Sequence, residues 1–172
     1  MTPPGSRPQV SPPDAGDRPA LRGTVLAVGN TIMSDDGLGP ALLARLRAAR
    51  PGAAVEYIDG GIGGLDLLPV VQEAERLLIL DAVAGQTPGE VLRLDGDQLP
   101  RLLAAKLSPH QVGLLDVFSA ARLLGREPAE ITVVGVVPGR VALGVALTPA
   151  VEAALPQATA VAAAVLDAWE DA

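Results

Sequence analysis

The stretch "VLAVGNTIMSDDGLGP", residues 25–40, decides the fold. It opens in an apolar run, residues 24–28, that does not alternate and therefore predicts a strand buried on both faces. The run breaks at Gly29. Apolar residues at helical spacing then cover residues 38–49, with Pro40 near the first turn, where proline is favoured. The stretch thus predicts a strand, a turn and a helix, the repeating unit of α/β domains.

The rest of the chain continues this alternation. Further strands are predicted at residues 55–58, 77–80, 89–94 and 131–137, and further helices at residues 65–74, 98–105, 109–124 and 149–168. Helical crossovers imply parallel strands, and only residues 89–94 suggest an antiparallel edge. We predict an α/β fold, a single three-layer α/β/α domain with a mostly parallel five-stranded twisted sheet. It would span residues 23–172, after a disordered proline-rich extension at residues 1–22.

Composition narrows the range of possible functions. The chain has 172 residues, enough for one domain with a sizeable core, and it contains no cysteine, so thiolate metal sites and thiol nucleophiles are excluded. Its formal charge of −7 disfavours nucleic acid and anionic membrane surfaces as partners. Neither a membrane-spanning run nor a signal peptide is recognisable in the sequence. We expect a cytoplasmic protein.

Acidic residues follow three of the predicted strands. The pair Asp35 and Asp36 lies in the turn after the first strand, Asp59 follows the second, and Asp81 follows the third. Parallel strands bring their carboxyl ends to one edge of the sheet, which is where such folds bind ligands. Carboxylates gathered in one cleft raise each other's pKa unless a cation lies between them. The pattern therefore predicts a metal at this edge.

Each acid also has a structural interpretation. Either Asp35 or Asp36 could cap the helix that begins near residue 38, although a cap rarely needs both. Asp59 precedes Gly60 and could be a turn residue. Asp81 ends a fully apolar strand, which favours a functional role.

His110 is the only histidine of the chain. In "SPHQVGLLDV", Ser108 and Gln111 have the spacing of a capping box, with Pro109 at the first helical position. His110 would then lie at the positive end of a helix dipole, which favours the neutral imidazole that binds metals. Two carboxylates and one imidazole form a weak site with open positions. Such a site suits a metal that arrives with the substrate, or a catalytic metal that the protein holds loosely.

Four motifs in order, "GNTIMSDDGLGP", "DGGIGGLDLL", "LLILDAV" and "SPHQVGLLDV", resemble the hydrogenase maturation endopeptidases, over residues 25–155. The resemblance implies a three-layer α/β fold and a cytoplasmic hydrolase. It also implies the reaction, which is removal of the C-terminal extension of a nickel–iron hydrogenase large-subunit precursor after nickel insertion. The family's metal-contacting residues match Asp36, Asp81 and His110, so the resemblance selects Asp36 over Asp35.

Further expectations follow from the resemblance. Asp36 and Asp81 would be the catalytic residues of an aspartyl-type endopeptidase, and Asp59 and Gly60 would contact the substrate. Asn30, just past the first strand, is a further candidate for substrate contact, and its side chain could instead hold the turn that carries the acids. Nickel would be carried by the precursor, with no permanently bound cofactor, and the enzyme would be a monomer. The segment "VVPGRVALGVALTP", residues 136–149, departs from the family because it lacks an acidic residue that many members carry there.

Two other functions compete with this one. A receiver-like signalling module also gathers acids around Mg²⁺, but it has its acid pair directly at the end of the first strand and a lysine after the last. Here Pro138, Gly139 and Arg140 follow the last predicted strand. The other is a checkpoint protein that binds the nickel-loaded precursor without cutting it.

Overall fold

A computed structural model describes residues 22–96 and 109–172, and for residues 109–112 it describes only the backbone. The helix predicted at residues 98–105, and the predicted extension apart from Arg22, lie outside these ranges. The strands are β1 (Gly23–Ala27), β2 (Val55–Asp59), β3 (Arg76–Ala82), β4 (Val91–Asp95) and β5 (Glu130–Val136). The helices are α1 (Leu38–Ala49), α2 (Leu68–Glu73), α3 (Pro109–Leu123) and α4 (Pro149–Glu170), with 3-10 turns at Ser34–Gly37 and Gly64–Leu67.

The five strands form one sheet in the order β2-β1-β3-β5-β4. All neighbours are parallel except β4, which pairs antiparallel with β5. The predicted fold class and the predicted antiparallel edge strand are therefore confirmed. We call the edge at which β1, β2, β3 and β5 end the carboxyl edge.

Helices cover both faces of the sheet. Successive residues of the central strands point to opposite faces, so that Val25 packs with α1 and α4 while Leu26 packs with α2 and α3. Because both faces are covered, β1 is buried along its whole length. This accounts for the apolar run without alternation that marked this strand in the sequence.

Helix α4 belongs to the first of these layers. By length and composition alone it could cross a membrane, the one such helix among the residues that the structure describes. Its inner side, however, is buried against the sheet and α1, with Leu155, Val165 and Trp169 among the buried residues. We therefore interpret α4 as a core helix.

Most elements differ from their predicted bounds by one or two residues, and two of these differences bear on the carboxyl edge. The helix predicted at residues 65–74 begins instead as a 3-10 turn at Gly64, whose φ is +52°, and continues as the short α2. Strand β3 extends to Ala82, which pairs with Val136 of β5. Asp81 therefore lies within β3, one residue before its end, and not beyond the strand.

Gly39 allows α1 to approach the sheet closely. A Cβ at Gly39 would lie 2.1 Å from the carbonyl oxygen of Val28 and 2.6 Å from that of Leu80. Both obstacles are backbone atoms, so Gly39→Ala should force α1 away from the sheet. We expect a loss of about 1–3 kcal/mol in the free energy of unfolding, measured by urea denaturation. Gly52→Ala is the matched control, because a Cβ at Gly52 meets nothing within 4 Å.

Candidate functional site

The carboxyl edge carries the three acids that the sequence placed there. Asp59 is the last residue of β2 and pairs in register with Ala27, and Asp81 pairs with Gly135 near the end of β3. Asp36 lies in the 3-10 turn that follows β1. Since the three strands are parallel neighbours, the acids occupy adjacent positions along this edge.

Asp36 and Asp81 are both buried, with 3% and 4% of their surface exposed. The backbone N–H of Asn30 donates to Oδ2 of Asp36 over 3.1 Å. Two residues earlier, the N–H of Val28 donates to the carbonyl oxygen of Leu80 over 3.0 Å, directly before Asp81. These two hydrogen bonds connect Asp36 to the residues that follow β1, and connect those residues to the strand that carries Asp81. Burying a carboxylate costs free energy, which points to a role beyond solubility.

Asp35 has a different role from its neighbour. It is fully buried, and its carboxylate accepts hydrogen bonds from the backbone N–H groups of Gly139, Arg140 and Thr148 and from the Thr148 hydroxyl, at 2.6–2.9 Å. Burial by itself raises the pKa of Asp35, but the hydrogen bonds from Thr148, Arg140 and Gly139 together lower that pKa below its ordinary value of 3.8. Asp35 is therefore held as an anion that fixes the segment of residues 139–148.

The same segment is attached to the turn at residues 29–37, the acid turn, by further bonds. Ser34, with an unusual φ of +53°, donates from its hydroxyl to the carbonyl oxygen of Ala146 over 2.8 Å. Met33 and Gly144 form an isolated parallel bridge. Non-glycine residues with positive φ persist where the surroundings hold them, and here the long segment after β5 does so.

Capping does not explain the acid pair. The N-cap of α1 is Gly37, which has no side chain to cap with, and Asp35 is occupied by the segment after β5. Sequence reasoning missed this role of Asp35, because its partners lie more than 100 residues later. The one available signal was that two adjacent aspartates exceed what a cap needs.

The remaining candidates lie in turns at the same edge. Oδ1 of Asn30 accepts from the N–H of Ile32, so this side chain stabilises its own turn, while its backbone contacts Asp36. Asp59 is exposed, and its Oδ1 accepts from the N–H of Gly61, which is the turn role considered for it. Gly60 packs closely, since a Cβ there would lie 2.8 Å from Leu26.

The start of α3 also reaches this edge. Gly113 lies one turn into the described helix, where an added Cβ would be 3.1 Å from the Cα of Gly64. The described part of α3 starts at Pro109, so the backbone of His110 lies in the first turn of that part. Its imidazole is outside the described atoms, and Ser108 of the predicted capping box is outside the described residues. Within the described side chains, no three His, Cys, Asp or Glu residues cluster to hold a metal ion.

Comparisons with known proteins agree on one family. A family model described as hydrogenase maturation protease matches residues 41–165. The Hydrogenase 2 maturation protease of Escherichia coli is 38% identical over 142 residues, covering 80% of this chain and 86% of that protein. The hydrogenase expression/formation protein HupD of Rhodobacter capsulatus is 39% identical over 150 residues, covering 84% and 71%.

The fold agrees with this similarity. The solved structure of the hydrogenase maturating endopeptidase HybD from Escherichia coli superimposes with a TM-score of 0.77 at 35% identity, covering 84% of this chain and 91% of that one. These matches favour a hydrolase over the receiver-like module. The chain belongs to the hydrogenase maturation protease family, whose members are endopeptidases.

Proposed function

We propose that this protein removes the C-terminal extension of a nickel–iron hydrogenase large-subunit precursor and that it recognises the nickel which the precursor carries. The observation that supports this most is the pair of buried carboxylates, Asp36 and Asp81, at the carboxyl edge. Asp36 follows β1, Asp81 lies near the end of β3, and the backbone of His110 belongs to α3, whose residue Gly113 approaches Gly64 after β2.

The donor set suits a metal that belongs to the substrate. Two carboxylate oxygens and one imidazole nitrogen leave positions open for ligands that the precursor supplies. Without thiolates or a second histidine, the protein would hold a free ion weakly. Asp36, Asp81 and His110 would therefore bind nickel only when the precursor already holds it, which makes cleavage conditional on nickel insertion.

Cleavage would proceed by attack of water. The chain has no cysteine, and its single histidine is assigned to the metal, so a nucleophilic triad lacks its parts. Water would add to the carbonyl carbon of the scissile bond, its proton would pass to the leaving amine, and the C–N bond would break. Either Asp36 or Asp81 would act as the general base, or the nickel that the precursor carries would activate the water.

Asp59, Gly60 and Asn30 would contact the precursor around this centre. Asp59 is exposed at the end of β2 and lines a cavity of about 780 Å³ between α1 and β2. The other walls of this cavity include Leu43, Arg47 and Tyr57. An extended segment of the precursor could therefore lie along the outer side of β2 and reach the carboxyl edge at Asp59. We further propose that the enzyme acts in the cytoplasm as a monomer.

The direct test compares precursor with and without nickel. Purified large-subunit precursor from the same organism would be incubated with the protein, and its mass would be measured over time. We expect the nickel-loaded precursor to lose its C-terminal extension and the nickel-free precursor to stay intact. Equal cleavage of both forms would remove the role of nickel, and binding without any loss of mass would favour the checkpoint function.

A further inference from the structure

Thr148 lies directly before α4 and occupies its N-cap position. The side-chain oxygen of a threonine at this position ordinarily accepts a hydrogen bond from an N–H group in the first turn of the helix. Here the side chain makes no such bond, and its hydroxyl donates to Oδ2 of Asp35 over 2.8 Å. The hydroxyl of Thr148 therefore serves the acid turn and not the helix that it precedes.

The backbone of Thr148 holds the same carboxylate. Its N–H donates to Oδ1 of Asp35 over 2.6 Å, so that Thr148 binds both oxygens of this side chain. Two donors from one residue fix the plane of the carboxylate as well as its position. Helix α4 packs against α1 and the sheet through Val151 and Leu155, which are buried. Thr148 thus connects Asp35 to a helix of the core.

The position of the Asp36 carboxylate depends on the backbone that Asp35 anchors. The two aspartates are neighbours in the 3-10 turn Ser34–Gly37, which is buried throughout. This turn closes against Gly29, since a Cβ at Gly29 would lie 2.1 Å from the carbonyl oxygen of Asp36. The N–H of Asn30 then donates to Oδ2 of Asp36 over 3.1 Å. A shift of Asp35 would therefore move Asp36 relative to Asn30, so this hydrogen bond reports on the position of the carboxylate.

We propose that Thr148 is a positioning residue for cleavage of the precursor, and that it acts through Asp35 to hold the Asp36 carboxylate toward the substrate. This rests on the proposed function, in which Asp36 binds the nickel of the precursor or accepts a proton from water. Misplacement of a reacting group by about 1 Å can cost about 100-fold in rate. Thr148 can therefore affect the rate of cleavage without being a catalytic residue itself.

The first test is kinetic. Thr148→Val removes the hydroxyl but keeps the branched shape and the N–H group of this residue. We expect its kcat on nickel-loaded precursor to fall at least about tenfold. Its KM should stay within about threefold, because every proposed nickel ligand and substrate contact is still present. Thr148→Ser keeps the hydroxyl, and its kcat should lie within about twofold of the wild-type value.

The matched control is Thr159→Val, also in α4. The hydroxyl of Thr159 donates to the carbonyl oxygen of Leu155 over 2.7 Å, so this variant loses a hydrogen bond within the helix but no contact with the acid turn. Both threonines are half-buried. The kcat and KM of Thr159→Val should match those of the wild type. Far-ultraviolet circular dichroism checks that each variant is folded, since a loss of stability alone does not lower the kcat of a protein that remains folded.

Amide hydrogen exchange tests the same connection without any cleavage. It is measured by nuclear magnetic resonance on the full chain in the absence of precursor. In Thr148→Val the N–H of Asn30 should exchange at least about tenfold faster than in the wild type, while the amides of β3 keep their wild-type rates. Thr148→Ser and Thr159→Val should leave the exchange of Asn30 unchanged.

Three results would overturn the proposal. The first is a wild-type kcat or unchanged exchange of Asn30 in Thr148→Val, and the second is a kcat of Thr148→Ser as low as that of Thr148→Val. The third is faster exchange throughout β3, because Thr148 would then act on the stability of the whole domain. Absence of cleavage by the wild type would refute the proposed function, and the exchange of Asn30 would still decide whether Thr148 positions Asp36.

Discussion

Asp81→Asn should lower the rate of precursor processing by at least about 100-fold, because loss of even an outer partner of a metal ligand costs about 10–100-fold. The amide keeps the shape of the side chain but removes the negative charge with which Asp81 would bind a metal ion or accept a proton. Asp36→Asn and His110→Gln should have effects of the same order. The measurement is the initial rate of release of the C-terminal extension from nickel-loaded precursor, followed by mass spectrometry.

Folding must be tested in the same variants, because Asp36 and Asp81 are buried. Far-ultraviolet circular dichroism and urea midpoints close to those of the wild type would attribute the lost activity to chemistry. Asp116→Ala is the control, since Asp116 is an exposed carboxylate of α3. Full activity of Asp81→Asn would show that the site does not use this carboxylate as a ligand or as a base.

The largest effect on stability is expected at Asp35. Asp35→Ala would leave the N–H groups of Gly139, Arg140 and Thr148 without their acceptor. Each buried donor without a partner costs about 1–3 kcal/mol, so we expect a loss of at least about 3 kcal/mol in the free energy of unfolding. Asp35→Asn should also lose stability, because its amide NH₂ would face a donor. Urea denaturation measures both variants, and a loss below about 1 kcal/mol for Asp35→Ala would contradict the anchoring role.

The stabilisation by Asp35 should depend on pH with a definite sign. Its pKa in the folded protein is lowered below 3.8, so the folded state binds this proton less readily than the unfolded chain. The contribution of the anion is therefore complete above pH 3.8 and declines as the pH falls through the lowered value. The difference in stability between the wild type and Asp35→Asn should shrink in this acidic range, and it should stay constant at neutral pH.

Local patterns predicted most of the fold. The helix at Leu38–Ala49 has the predicted bounds, and the sheet has the predicted strands with an antiparallel edge at β4. These elements could be predicted because burial of both faces leaves a non-alternating apolar run, and an amphipathic helix leaves a period of 3.6 residues. The helix after β2 was less predictable, because Gly64 at positive φ starts it as a 3-10 turn.

The site was predictable only in part. Strand ends placed Asp36, Asp59 and Asp81 at one edge, since topology alone determines that. The different roles of the adjacent Asp35 and Asp36 were not predictable, because they depend on hydrogen-bond donors that lie far from Asp35 in the sequence. The donors to Asp35 lie in a segment that no predicted helix or strand included, and no local pattern in the sequence links it to the acid turn.

The hydrogen bonds of Asp35 also determine when, during synthesis of the chain, the acid turn can reach its final structure. Thr148 lies 113 residues after Asp35, so a ribosome releases the acid turn long before it releases the residues that hold it. A nascent chain that ends before residue 139 would contain Asp36 and Asp81 but not the residues that hold the acid turn. Proteolytic competence should therefore arise only near the end of translation, once the chain has passed Thr148.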